Sequence, residues 1–262
     1  MLLAIDIGNT NITLGVFKYE SNRPVKGPVK VWRLSTDKSK TADEFGSKIL
    51  DFFHYSMLES NDIKAVAVAN VVPALNAVFE EVSVKYFGQK PFYVSGDKQD
   101  VVQNLYEDPG EVGADRIANA AAAYAFFGGP AIVIDFGTAT TFDCIGKNGS
   151  YIGGVIVPGP MLGAEALAEK TAKLPKVEIV KPQKVIGKNT VTSMQSGLYY
   201  GYTSLIRGIL DGIKKEMKGA PVIIATGGLA GKIIKELKEV KAVIPELTLE
   251  GIRIIYLKSK KT

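Results

Sequence analysis

Leu2-Leu3-Ala4-Ile5-Asp6-Ile7-Gly8-Asn9-Thr10-Asn11-Ile12-Thr13-Leu14-Gly15-Val16-Phe17 opens the chain with two apolar runs, a carboxylate near the end of the first and a compact polar connection between them. Asp and Asn are depleted from strand interiors, whereas Gly and Asn accept turn geometries that most residues avoid. The stretch therefore predicts a β-hairpin whose Asp6-Ile7-Gly8-Asn9-Thr10 connection projects side chains and amides outward, as a grip for phosphate. A similar pattern returns about half a chain later as Ile132-Val133-Ile134-Asp135-Phe136-Gly137-Thr138-Ala139-Thr140-Thr141-Phe142-Asp143. Such repetition predicts two related halves facing one another, with a nucleotide between them.

A length of 262 residues allows one large domain or two ordinary ones, and 46% hydrophobic content is enough for substantial cores. The net charge of +5 is small beside 32 basic and 27 acidic residues. No basic run is interleaved with aromatics in the way single-strand binding favours, so nucleic acid is not an expected partner. The Lys258-Ser259-Lys260-Lys261-Thr262 tail reads as a solvated end. Cys144 is the only cysteine, which excludes an intrachain disulfide and a cysteine metal cluster and fits a reducing compartment. His54 is the only histidine. Its setting, Asp51-Phe52-Phe53-His54-Tyr55, reads as a helix packed on a core, with no nucleophile elbow to complete a triad. Without a charged leader or a run of eighteen apolar residues, a cytoplasmic protein away from membranes is expected.

Val29 to Leu34 reads as a third strand, after a loop marked by Arg23-Pro24 and Gly27-Pro28. Thr41 and Glu44 form a capping box ahead of a helix whose apolar face carries Phe45, Ile49, Phe52 and Phe53. Ile63 to Asn70 predicts a buried strand, followed by a helix through Tyr86 and a short strand over Pro91 to Ser95. The second half repeats the order: strands over Ala131 to Asp135, Thr140 to Ile145 and Tyr151 to Val157, with a turn at Lys147-Asn148-Gly149. A helical segment from Met161 to Lys170, a Pro- and Lys-rich connector from Leu174 to Lys184, and a long helix from about Thr190 to Met217 follow. Next come a strand over Pro221 to Ala225, a turn at Thr226-Gly227-Gly228 and a helix from Leu229 to Val240. Ile252 to Leu257 is open between strand and helix. The class is α/β with mixed sheets, and the expected domains are 1–127 and 128–262.

Three Gly-containing turns follow apolar strands, at Gly8, Gly137 and Gly227-Gly228, and successive amides in such turns make a positive concavity for an anion. No Gly-x-Gly pair exists, which removes the dinucleotide fingerprint, and Thr226 to Ile233 departs from a P-loop at both ends. Taken in order, Asp6-Ile7-Gly8-Asn9-Thr10, Gly113-Ala114-Asp115-Arg116, Asp135-Phe136-Gly137-Thr138-Ala139-Thr140, Gly153-Gly154-Val155-Ile156-Val157-Pro158-Gly159 and Thr226-Gly227-Gly228 resemble the motif series of type III pantothenate kinases over nearly the whole chain. That family belongs to the superfamily of actin, the large heat-shock chaperones and sugar kinases.

The resemblance implies two actin-like, ribonuclease H-like halves, each a mixed sheet with flanking helices, and a nucleotide cleft between them. It implies ATP-dependent phosphorylation of pantothenate to 4′-phosphopantothenate, the first committed step towards coenzyme A, with Mg²⁺ and a monovalent cation, K⁺ or NH₄⁺. ATP would meet Asp6, Ile7, Gly8, Asn9, Thr10, Asn11, Ile12, Thr13 and Thr138, with Gly227 and Gly228 at the adenosine end. Asp6 would hold Mg²⁺ directly or through water, and Asp135 the monovalent cation. Asp115 would be the general base, and Tyr106, Gly113, Ala114, Arg116 and Thr190 would contact pantothenate. On the residues alone, Asp6 and Asp135 serve equally as turn caps, Asp115 as a charge at a helix N-terminus, and Arg116 as half of a structural ion pair. Family members are homodimers joined through their second halves, although Leu198, Tyr199, Tyr202, Leu205, Ile206 and Leu210 of the long helix would also serve a monomer core. Another kinase or a phosphatase of the same superfamily, and a non-catalytic interaction protein of the same fold, are the competing readings.

Overall fold

The computed structural model describes residues 1–18, 27–97, 101–217 and 219–260; Arg23-Pro24 and Lys261-Thr262 lie outside them. The chain divides into two compact units, the first of Met1–Phe126, Gly149–Tyr151 and Glu246–Thr262, the second of Phe127–Asn148 and Ile152–Pro245.

In the first unit, strands β1 (Leu2–Ile7), β2 (Asn11–Phe17), β3 (Lys30–Ser35), β4 (Ala65–Asn70) and β5 (Phe92–Tyr93) form one sheet in the order β3-β2-β1-β4-β5. β1 pairs antiparallel with β2 and parallel with β4. The hairpin expected from the opening sequence is therefore present, and β1 sits at the centre of the sheet. Strands covered on both faces read as near-continuous apolar runs, which is how Leu2-Leu3-Ala4-Ile5 and Ala65-Val66-Ala67-Val68 read. One face of the sheet meets helices α1 (Ala42–Tyr55) and α2 (Asn76–Phe87): Leu3, Ile5 and Ile7 join Phe45, Ile49, Phe53, Phe79 and Val82 in one core. The capping box of α1 forms as predicted, Thr41 accepting from the Glu44 N–H and Glu44 from the Thr41 N–H. His54 lies on this helix but is exposed, edge-on to Tyr55 at 5.8 Å, so the helix packs and the imidazole does not.

Helix α3 (Ala114–Phe127) completes the unit together with a helix from the far end of the chain. Ile252 to Leu257, open between strand and helix in the sequence, lie in a helix over residues 247–259 that packs against β1, β2 and β4. Leu247, Leu249, Ile252, Ile255 and Tyr256 are buried there, each burial worth about 1.5–3 kcal/mol. This helix crosses α3 closely: a Cβ on Gly251 would fall 1.8 Å from the Ala118 carbonyl oxygen. The Thr248 hydroxyl donates to Asn119 Oδ1 at 2.9 Å across the same crossing. The chain's last residues thus belong with the first unit, whereas the sequence reading grouped them with the second, because their apolar side chains cover the first sheet.

The second unit repeats the first. β6 (Ala131–Phe136), β7 (Ala139–Ile145), β8 (Tyr151–Pro158), β9 (Val222–Thr226) and β10 (Val240–Val243) make a sheet of order β10-β9-β6-β7-β8, the same topology with the same parallel and antiparallel pairs about its centre. Even the burial agrees, since β1 and β6 share one pattern in which Asp6 and Asp135 alone are not fully buried. Asp6 faces Thr13 in register and Asp135 faces Thr141.

Helix α4 (Pro160–Lys170) follows β8. The long helix predicted from Thr190 is α5 (Thr190–Ser196) and α6 (Tyr202–Glu216), joined by a wider turn over Gly197–Gly201. Tyr202, Ile206, Leu210 and Ile213 of α6 face Ile132, Ile134 and Phe142, so most of that apolar stripe does build this unit's own core. The helix expected over Leu229 to Val240 is shorter, α7 (Ala230–Ile233) with a further tight turn, and Val240–Val243 is the edge strand β10. Its Val-Lys-Ala-Val alternation is the half-buried strand signature, hidden in the sequence by the helix-favouring lysines before it. The last helix, Leu247–Ser259, is α8.

Candidate active site

The hairpin connection after Asp6 is braced from behind. Gly8 N–H donates to the Asn11 carbonyl at 3.0 Å, the Thr36 hydroxyl donates to the Gly8 carbonyl at 2.6 Å, and Thr36 N–H donates to the Thr10 carbonyl at 2.9 Å. With these carbonyls held by Thr36 just past β3, Asn9, Thr10 and Asn11 are left exposed on the outer side. Ile7 and Ile12 are both 0% exposed. Of the residues expected to meet ATP, these two have side chains committed to the core and can offer only backbone groups.

Asp115 stands in the first turn of α3, which starts at Ala114. Arg116 N–H donates both to the Gly113 carbonyl at 3.0 Å and to Asp115 Oδ1 at 2.8 Å. A Cβ on Gly113 would lie 2.5 Å from Asp115 Oδ1 and 3.4 Å from Val71 Cγ1, and Val71 N–H donates to the Ile7 carbonyl at 3.1 Å. The Gly113-Asp115 corner therefore lies at the carboxyl ends of β1 and β4, the end at which α/β sheets bind ligands and at which Asp6 is found. Burial pushes the Asp115 carboxyl above its ordinary value, and the hydrogen bond and positive charge of Arg116 oppose the rise without cancelling it. A desolvated carboxyl of raised proton affinity at such a corner is suited to taking a proton from a substrate hydroxyl.

Arg116 is 7% exposed, and its guanidinium carbon lies 5.6 Å over the ring of Tyr151. Tyr106 reaches the same ring, 6.3 Å between centroids and tilted by 52°. Asn104 ties this corner together, Nδ2 donating to the Gly96 and Pro109 carbonyls at 3.1 and 3.2 Å while Oδ1 accepts the Tyr106 N–H at 3.1 Å. Thus the first unit brings Tyr106, Gly113, Ala114, Asp115 and Arg116 into one region. Tyr151, Asn104 and Thr36 escaped the sequence reading, since an aromatic at a strand start, an Asn in a loop and a Thr after a strand carry no motif.

The second unit holds Asp135, Thr138, Thr190, Gly227 and Gly228. Gly227 adopts φ +90°, and a Cβ there would come within 2.6 Å of Asp135 Oδ1 and of Phe136 backbone atoms. Only glycine lets this turn lie against the Asp135 carboxylate. Thr138 is exposed, and its carbonyl accepts the Gly159 N–H at 3.0 Å, so the Gly153 to Gly159 run ends as a backbone support for the Thr138 turn. Thr190 is the exposed first residue of α5, behind an Asn189-Thr192 capping box. Among the described residues no group of three or more His, Cys, Asp or Glu could enclose a metal, and no helix is long and apolar enough to cross a membrane. A lone carboxylate fits Mg²⁺, which is commonly held by one or two carboxylates, substrate phosphates and water.

Solved structures share this architecture. The activator of 2-hydroxyisocaproyl-CoA dehydratase from Clostridium difficile, with bound ADPNP, superposes at TM-score 0.55 with 15% identity, over 99% of this chain and 96% of the other. The ethanolamine utilization protein EutJ from Carboxydothermus hydrogenoformans gives TM-score 0.55 with 18% identity over 97% and 89%. At such identities the likeness concerns the fold alone, two actin-like halves. Sequence relatives are far nearer. The type III pantothenate kinase of Endomicrobium trichonymphae is 50% identical over 98% of this chain and 99% of its own length, and that of Geotalea uraniireducens (strain Rf4) is 48% identical over the whole of both. The family model described as type III pantothenate kinase matches residues 2–212. With relatives this similar along their full length, the chain belongs to the type III pantothenate kinase family.

Proposed function

We propose that this kinase transfers the terminal phosphoryl group of ATP to the primary hydroxyl of pantothenate with Asp115 as the general base, yielding 4′-phosphopantothenate for coenzyme A synthesis. The observation that carries the role of Asp115 is its desolvated carboxyl at the carboxyl ends of β1 and β4, one residue from a buried arginine. Phosphoryl transfer asks little covalent chemistry of a protein, so positioning and charge neutralisation dominate. Asp115 accepts the hydroxyl proton as the oxygen attacks. Arg116, whose planar fork matches a carboxylate, binds the acid end of pantothenate, with Tyr106, Gly113 and Ala114 beside it and Thr190 as a further contact.

Backbone groups of Ile7, Gly8 and Ile12, with Asn9, Thr10, Asn11 and Thr13, cradle the phosphates. Thr138 contacts the nucleotide, and Gly227 and Gly228 its adenosine end. Asp6 holds Mg²⁺, which when bound neutralises charge on the transferred group. Asp135, against which the Gly227 turn is folded, holds K⁺ or NH₄⁺. The protein acts in the cytoplasm as a homodimer; exposed Ile156, Met161, Leu162, Ile186, Val191 and Leu205 in the second unit support an apolar mating face.

A coupled assay for ADP tests the reading. ADP release that needs pantothenate and rises with K⁺ or NH₄⁺ is expected, together with loss of turnover and retained ATP binding in Asp115→Asn. Release with another alcohol but not with pantothenate would overturn the substrate, and near-normal turnover in Asp115→Asn would remove the base.

A further inference from the structure

We infer that Tyr151 is a positioning residue for pantothenate recognition: its ring is the floor that sets the plane of the Arg116 guanidinium and the tilt of Tyr106. The inference rests on the proposed function and adds to it a residue that none of the motifs contains.

Tyr151 is 0% exposed, and its backbone is fixed on both sides. Its N–H donates to the Gln103 carbonyl at 2.8 Å, and its carbonyl accepts the Leu105 N–H at 2.9 Å. Tyr151, which belongs to the first unit, is thereby stitched to the loop that carries Tyr106. The Arg116 guanidinium rests at 5.6 Å over the ring face, within the range at which a cation is attracted by the ring quadrupole. A guanidinium on so flexible a stem samples many planes unless something flat opposes it. Only one plane presents both nitrogens of the fork to a carboxylate. Tyr106 meets the same ring at 6.3 Å, so a single buried aromatic orients both residues. Tyr151 itself needs no contact with the substrate, which separates its role from that of Arg116.

The prediction is specific to one substrate and one kinetic constant. In Tyr151→Leu the KM for pantothenate rises about thirtyfold, the size of a lost cation–π contact in a desolvated setting, while kcat and the KM for ATP stay close to wild type. Tyr151→Phe, which keeps the ring, restores most of the affinity. Pentafluorophenylalanine at position 151 keeps the shape and inverts the ring charge; it raises the KM for pantothenate above that of Tyr151→Phe, and it decides the matter should the leucine variant fail to fold. An unchanged KM in folded Tyr151→Leu, equal KM values for the phenylalanine and pentafluorophenylalanine proteins, or a Tyr151→Phe variant as impaired as Tyr151→Leu each overturns the inference while leaving the kinase reading intact. A wild-type protein inert towards pantothenate overturns both.

Discussion

Replacing Gly251 by alanine probes the crossing of α8 and α3, on which the placement of Asp115 depends. A methyl group at 251 would sit 1.8 Å from the Ala118 carbonyl oxygen, 2.3 Å from its carbon and 2.7 Å from its Cα. All three are backbone atoms, so no rotamer change relieves the clash. Reaching ordinary contact at about 3.4 Å requires the helices to part by about 1.6 Å at this point. In a helix interior the alanine gains about 1 kcal/mol of propensity, whereas overpacking of a tight core costs typically 1–3 kcal/mol and more when backbone must move. The expected net loss is about 2 kcal/mol, or a drop in Tm of roughly 4–8 °C for a chain of this size. Ala118 is one helical turn from Asp115, so any part of the strain taken up by α3 moves the proposed base, and a misplacement of about 1 Å can cost about a hundredfold in rate.

Thermal melts read the first effect and the coupled assay the second. Gly208→Ala is the matched control, because that exposed glycine of α6 has nothing within 4 Å of a new Cβ; it should raise stability by up to about 1 kcal/mol. Wild-type Tm and wild-type turnover together in Gly251→Ala would refute the reasoning.

The Asp115 carboxyl also fixes a pH dependence. Its folded pKa is raised above the ordinary 3.8, so the stability it contributes is present below that ordinary value and is lost as pH rises through the raised one. With Asp115 as the proposed base, activity rises across the same window, and kcat/KM profiles should place the acid limb above 3.8; a limb at or below it would contradict the desolvation. Gly227→Ala forces a side chain into φ +90° and to within 2.6 Å of Asp135 Oδ1. It should weaken both nucleotide binding and stimulation by K⁺ or NH₄⁺ in titrations, and unchanged stimulation would detach Asp135 from the cation. Arg253 holds Glu250 at 2.8 Å inside the first unit and covers the Phe17 ring at 5.5 Å. Breaking a buried pair leaves one charge uncompensated, so Arg253→Met should cost about 3–5 kcal/mol in urea melts, and a smaller loss should follow for the double variant with Glu250→Gln.

The central strands and hairpins were legible because period-2 and continuous apolar runs dominate Leu2 to Phe17 and Ala131 to Ile145, and because the two Asp-x-Gly turns match one another. The capping box at Thr41 announced α1 with the same clarity. What stayed hidden depends on partners distant in sequence. Residues 252–257 are equally apolar as strand or helix, and only the first sheet's open face makes α8 a helix with Gly251 against Ala118. β10 forms because β9 offers an edge, which no local window contains. Within the site, Asp6, Asp115 and Asp135 stand in motifs that a sequence displays, while Tyr151, Asn104 and Thr36 brace others and leave no pattern of their own. Ile7 and Ile12 show the converse, motif positions whose side chains serve the core.

The docking of α8 on the first sheet has a consequence for synthesis. A ribosome finishes β1, β2, β4 and α3 long before residues 247–259 appear. At about 5–20 residues per second the remaining chain takes on the order of ten seconds to emerge. Throughout that interval the nascent protein presents an apolar face with nothing to cover it, and the second unit folds meanwhile. The first unit to be translated is the last to close, so premature stop codons or cleavage near the C-terminus should yield not a shortened kinase but a sticky intermediate, fit for chaperones or proteolysis.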